Sequence, residues 1–472
     1  MKIVHVIPRM IGGGPERSIL ALAAEMAALG AGLHHAIVVL DPPISRTLFL
    51  AARRRGIDVV SRPDPTVLSR MIVDADIVSV HYWNHPALLS LLRSLPFPPA
   101  RVVVHCHVLG LTAPQMLTDA IGRFGDALVL TCEASKESAA AKAALAEGRC
   151  VVTHLSIADM SRLEGFAKLP HDGCVVGYLG GVSDAKMHPR FARMAAAMAH
   201  PDLRFLVCGG GGGEEALRGE MAALGLGPRA DIVGPVEDIR SALGRMDIFG
   251  YPLAPETYAT SEKTLQEAMW VGLPPVILPH GGVRYVEHGR TGLVARDESD
   301  YVEAIDRLAA DPSLRARLGR AAQDYARVHF NPQRWARAAL EFLDEVAAYP
   351  KRERPCLEGG DGAAGFVAAL GELGSAFATS RAGPIQGSVS LDDVVAADAV
   401  IAGSHPGLAR GEGGIIHHRN AAPNDPHLRL WSGLIAAAAG NFALAQAEYQ
   451  AAAIFGLADP RPAMYLARGA RP

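Results

Sequence analysis

The stretch ETYATSEKTLQEAMWVGLPPVILPHGG, Glu256 to Gly282, decides the reading of this chain. It joins three glutamates to an apolar helix-like run and a proline-flanked strand that ends in His-Gly-Gly. SEKTLQEAMWVG has helical spacing, with Thr260 or Ser261 as the expected N-cap and Glu262 in the first turn, where the helix dipole favours a carboxylate. Leu265 and Met269 face a core. Glu267 lies five residues after Glu262, off its stripe, so the two glutamates are expected to have separate roles. PPVILP reads as a buried strand, and His280, Gly281 and Gly282 as its exit loop at the ligand end of a parallel sheet.

Working outward, the same alternation of strand, turn and helix fills the chain. KIVHVI, HAIVVL, ADIVSVHYW, RVVVHCHV, DALVLTC and CVVTHLS read as buried parallel strands of one Rossmann-like domain over residues 1–165. CVVGYLGGVSDAKMHP, FLVCGGGGGEE, ADIVGPV, MDIFGYPL, LPPVILPHGG and TGLVAR build a second over 166–348. Two such halves imply a cleft between them. Residues 349–400 read as a linker with short helices, and 401–472 as a helical hairpin turning at Gly440-Asn441. In that hairpin Gly433, Ala445, Tyr449 and Ala452 are spaced as in a tetratricopeptide repeat. The expected fold class is α/β: two doubly wound domains facing a cleft, with a small all-α C-terminal region.

Composition bounds the function. The chain has 472 residues and a formal charge of −3, so no large basic face for nucleic acid is expected. Its six cysteines are scattered without a C-x-x-C pair, which fits a reducing, cytoplasmic setting. No signal peptide or transmembrane run is read; peripheral contact with the inner face of a membrane stays open.

Several positions carry chemistry. Gly12, Gly13 and Gly14 follow a strand and open a helix, so backbone amides there can approach a phosphate. Lys186 lies shortly past a strand end, within reach of a diphosphate. His105 and His107 close an apolar strand, and His105 is favoured for function. A zinc site is not expected from H-x-H, because no third ligand is in view. Asp74 and Asp76 precede their strand, at the wrong end of the sheet for a metal–nucleotide site.

At Glu267-Ala-Met-Trp-Val-Gly272-Leu-Pro274-Pro-Val276, then Gly281-Gly282-Val283 and His288-Gly289-Arg-Thr291-Gly292-Leu-Val294, the chain resembles the donor-binding half of retaining GT-B glycosyltransferases of family 4. The resemblance spans about residues 1–345 and implies sugar transfer from a nucleotide-sugar to a glycan, lipid or protein acceptor, with retention and without a metal or other cofactor. It implies Lys186 at the diphosphate, Glu267 at the ribose, His105 near the donor sugar, the glycine loop near phosphate and sugar, and Val236 at the base. Two positions depart from the pattern. Ala259 stands where the family's first glutamate falls, and Gly181 where an arginine is usual. Glu256 or Glu262 could supply the carboxylate, and Thr260 or Ser261 hydroxyl contacts. Alternatives are another nucleotide-sugar enzyme, such as an epimerase, or a non-catalytic scaffold that recruits a protein through its C-terminal helices.

Overall fold

The computed structural model describes residues 1–153, 156–360, 362–384, 389–457 and 459–470. The strand read over Cys150–Ser156 is observed over Cys150–Thr153, and His154 and Leu155 lie outside the described residues.

Two parallel sheets form because their strands are Val- and Ile-rich on both faces and must be covered by helices on both sides. Ile77–Tyr82 and Cys174–Leu179 are buried at every residue. The first sheet runs Cys150–Thr153, Ala127–Leu130, Val102–Cys106, Ile77–Tyr82, Lys2–Ile7, His34–Val39, Asp58–Ser61. The second runs Ala230–Gly234, Leu203–Cys208, Cys174–Leu179, Ile248–Tyr251, Pro275–Ile277, Leu293–Val294. Strand order reverses between Lys2–Ile7 and Ile77–Tyr82 in the first sheet, and between Cys174–Leu179 and Ile248–Tyr251 in the second. Reversals of this kind open crevices at the carboxyl ends of the strands, where ligands bind. The glycine loop follows one reversal. Lys186 and the helix carrying Glu267 follow the other.

The helix Pro332–Ala347 packs on the first domain. Phe342 and Val346 join Ile77, Val103 and Val129 in one apolar cluster, and Ala336 and Ala339 pack on Met26. A short strand, Arg352–Arg354, then pairs antiparallel with Phe97–Ala100.

The C-terminal region is helical. Trp431, Phe366, Phe377 and Tyr449 centre its core. The hairpin Pro426–Ala438 and Phe442–Ile454 packs closely because Gly433 faces Tyr449; a Cβ at Gly433 would come 2.5 Å from that ring. Residues 362–382 form a helical run of mean hydropathy 1.2, long and apolar enough to cross a membrane. Here a 3-10 turn at Gly371–Gly374 interrupts it, and Phe366, Leu370 and Phe377 are spent in this core.

Candidate functional site

The helix after the second reversal runs Lys263–Trp270. Its N-cap is Glu262, not Ser261 or Thr260, and no side chain caps its amides. The reason is visible in the neighbours. The Thr260 hydroxyl meets the Thr131 hydroxyl of the first domain at 2.6 Å, and the Tyr258 carbonyl accepts from Leu109 N at 3.0 Å. Interdomain contacts therefore claim this stretch before it turns helical.

Glu262 is buried and ion-paired with Lys186, Nζ to Oε2 at 2.6 Å. Tyr251 donates to the same oxygen at 2.7 Å. Burial alone would raise this carboxyl. The Lys186 ammonium and the Tyr251 hydroxyl outweigh it and hold Glu262 below the ordinary carboxylate range. Lys186 is thus fixed at the helix N-terminus, among free amide dipoles.

Lys263, which the sequence reading passed over, reaches the first domain. Its Nζ donates to Ser156 Oγ at 3.1 Å, and it lies so near Gly14 that a Cβ there would meet Nζ at 3.4 Å. Burial pulls the Lys263 ammonium down to about 8. Gly12, Gly13 and Gly14 lead into the helix Gly14–Ala28, with Gly13 as N-cap. Glu16, also unanticipated, is buried beneath this loop. Its Oε1 accepts from Ile11 N at 3.0 Å, while Oε2 is buried without a hydrogen-bond partner.

Glu267 lies further along the Lys263 helix, buried, with Arg162 at 3.5 Å. Burial pushes it up to about 7, against the pull of Arg162, Arg17 and Lys263. The folded chain therefore holds a proton that the unfolded chain releases near 4.5, so stability falls as pH rises from about 4.5 to about 7. We expect Glu267→Gln to be the more stable protein at pH 8, by about 1–3 kcal/mol, and to lose that advantage below pH 4.5. Urea unfolding at several pH values checks this; equal stability across the range would refute it.

Gly181 lies beside Lys186, and its carbonyl accepts from Tyr178 at 2.9 Å. Ala259 is buried, its carbonyl against Gly282. His280 accepts from Gly282 N at 3.1 Å and so presents its Nε2 hydrogen to the Thr257 carbonyl at 3.2 Å. Gly281 faces Ala134 and Leu109 across the cleft. Ser261 is buried, Val236 half-buried against the second core, and Glu256 exposed. Asp76 accepts from Lys2 N at 2.7 Å at the far end of the sheet, and Asp74 is exposed. His105 lies in a stack with His81 and His107, its ring 4.3 Å from His107. His107, past the strand end, feels the Lys263 charge.

A third segment reaches the cleft. Glu412, from the C-terminal region, pairs with Arg9 at 2.8 Å and accepts from Trp83 Nε1 at 2.7 Å. Its carbonyl accepts from Gln115 at 2.6 Å. Nearby, Arg410 approaches Asp184 of the second domain at 3.7 Å. No short motif marks Lys263, Glu16, Arg17, Arg162 or Glu412. Only Lys263 had a signal, its place directly after Glu262 at a helix start.

Two Rossmann-like domains with both reversal points facing one crevice define the GT-B fold. Residues 173–311 match the family model described as glycosyl transferases group 1. Two curated relatives are D-inositol 3-phosphate glycosyltransferases. That of Stackebrandtia nassauensis is 30% identical over 174 residues, covering 34% of this chain and 39% of the relative. That of Corynebacterium jeikeium is 28% identical over 192 residues, covering 38% and 45%. The matched stretches thus span less than half of these relatives. Among solved structures, Anabaena HepE in complex with UDP and glucose aligns with a TM-score of 0.58 at 17% identity, covering 73% of this chain and all of that one. Sucrose-phosphate synthase from Thermosynechococcus elongatus aligns at 0.57 and 18%, covering 74% and 99%. At such identities the likeness is one of fold.

Proposed function

We propose that this chain is a glycosyltransferase that moves a sugar from a nucleoside-diphosphate donor to an acceptor, with retained anomeric configuration. One observation carries the reading: two lysines of the second domain converge with the glycine-loop amides of the first where two helix N-termini meet. Lys186 and Lys263 stand at the start of one helix, and the amides of Gly13 and Gly14 at the start of the other. Such a group stabilises the charge that builds on a departing diphosphate without a metal in the transfer step. The matched family model, the names of the curated relatives and the UDP-bound structural neighbours support it.

In this reading Glu267 receives the ribose hydroxyls, and nucleotide binding displaces Arg162 from it. Glu262 is the positioning partner of Lys186. His107, with His105 stacked behind it, borders the donor sugar. The acceptor, a glycan, lipid or protein, enters from the first domain beside Glu412, in a cytoplasmic protein. Nuclear magnetic resonance of the products tests it. Free nucleoside diphosphate and a glycoside keeping the donor's anomeric form are expected; inverted or hydrolysed sugar would refute transfer with retention.

The buried Ala259 favours a second reading, a nucleotide-binding scaffold without turnover. That reading predicts thermal stabilisation by a nucleoside diphosphate with no donor consumption over hours.

A further inference from the structure

The first sheet carries a row of histidines, of which the transfer reading uses only the last two, His105 and His107. His35, His5, His81 and His105 come from four adjacent strands, and His107 follows the last. His5 Nε2 lies 3.0 Å from His35 Nδ1, His5 Nδ1 2.9 Å from His81 Nε2, and His81 Nδ1 2.7 Å from His107 Nε2. Ser79 Oγ is 3.1 Å from His81 Nε2. One ring nitrogen from each of His81, His105 and His107 falls within 4.8 Å of the others. The third ligand missing from H-x-H is therefore on the neighbouring strand, where His81 pairs in register with His105.

We propose that His81, His105 and His107 bind one divalent first-row transition cation, Zn2+ foremost. Imidazole nitrogen is a preferred donor for zinc, at about 2.0–2.1 Å. In a tetrahedral site that bond length sets nitrogens about 3.3 Å apart, so the His81–His107 pair opens by about 0.6 Å and His105 swings inward. There is room for this, since all three rings border a cavity of about 60 Å³. A cavity of that size can admit a water as the fourth ligand.

With the cation on His81 Nδ1, the His81 hydrogen sits on Nε2 and is donated to His5 Nδ1. His5 Nε2 then donates to His35 Nδ1. This is the outer-shell arrangement that fixes a ligating tautomer. The site lies on the sheet under the helices Gly14–Ala28 and Pro332–Ala347, whose Met26, Trp335 and Phe342 line the same cavity. Its role is to hold the strand ends that present His107 to the cleft, apart from the diphosphate.

The test uses the full chain, stripped with a chelator and titrated with Zn2+ against a chromophoric competitor, then with Co2+. One cation per chain, a rise in Tm and the visible bands of tetrahedral cobalt are expected. His81→Ala should weaken binding by about 100-fold or more, while His34→Ala, at an exposed ring, should bind as the parent does. Should His81→Ala fold poorly, His105→Gln reads the same site. No stoichiometric cation, octahedral cobalt spectra, or unchanged affinity in the folded ligand variants would overturn the proposal. None of these readouts depends on sugar transfer, so the two readings fail separately.

Discussion

Lys186→Ala is expected to lower sugar transfer by about 10²–10³-fold while leaving the fold intact. The lysine is partly exposed on a loop, so little apolar packing goes with it. What remains is Glu262, buried and stripped of its main counter-charge. Burial then raises that carboxyl, because only Tyr251 and the Lys263 charge oppose it. The variant therefore loses twice: a cation at the diphosphate, and the fixed alignment of the helix N-cap. Lys186→Arg keeps the charge but not the compact ammonium that fits beside Gly181, and a partial loss is expected. Steady-state kinetics with a nucleotide-sugar identified by thermal shift checks both. Undiminished kcat/KM in Lys186→Ala would remove the lysine from the mechanism.

The second large effect lies far from the cleft. Arg461 is fully buried in the helical region, bridging Asp398 at 2.9 Å, the Ser380 hydroxyl at 2.9 Å and the Ser380 carbonyl at 2.7 Å. Tyr465 donates to Asp398 at 2.7 Å, and Trp431 to Ser380 at 2.9 Å. This network ties the helices Ser375–Ala382, Leu391–Ala402, Pro426–Ala438 and Arg461–Ala467 together. Asp398→Ala leaves a buried guanidinium with Asp459 as its remaining carboxylate partner, and about 3–5 kcal/mol of local stability should go. Hydrogen exchange should show protection falling across these helices while the two sheets keep theirs. A uniform loss throughout the chain would mean that the region does not unfold as its own unit.

Much of this architecture was legible. Buried strands announce themselves by runs of Val and Ile, and the glycine loop, Lys186 and Glu267 follow strands whose order reverses. What escaped depends on residues distant in sequence, between the domains and within one sheet. Ser261 and Thr260 have good capping chemistry, yet Thr260 is bound to Thr131, 129 residues away in sequence. His105 reads as a cleft residue from its strand-end position, but the pleat turns it onto the sheet face beside His81. H-x-H lacked a third ligand only because His81 is supplied by strand register, which no local spacing encodes. Glu412 reaches Trp83 across 329 residues, and nothing in GEGG around it hints at a destination.

That reach has a mechanical consequence. Glu412 is anchored on the first domain by contacts to Arg9, Trp83 and Gln115, largely out of solvent. Its link to the second domain, Arg410 to Asp184, is an exposed ion pair at 3.7 Å worth at most about 1 kcal/mol. The helix Pro332–Ala347 also rides on the first domain. The molecule therefore has one heavy body, the first domain with its helical rider, and one lighter body, the second domain. Opening the cleft would break that ion pair together with the Thr131–Thr260 and Leu109–Tyr258 hydrogen bonds, so cleft width should respond to nucleotide as a rigid rotation, visible as a change in radius of gyration by solution scattering.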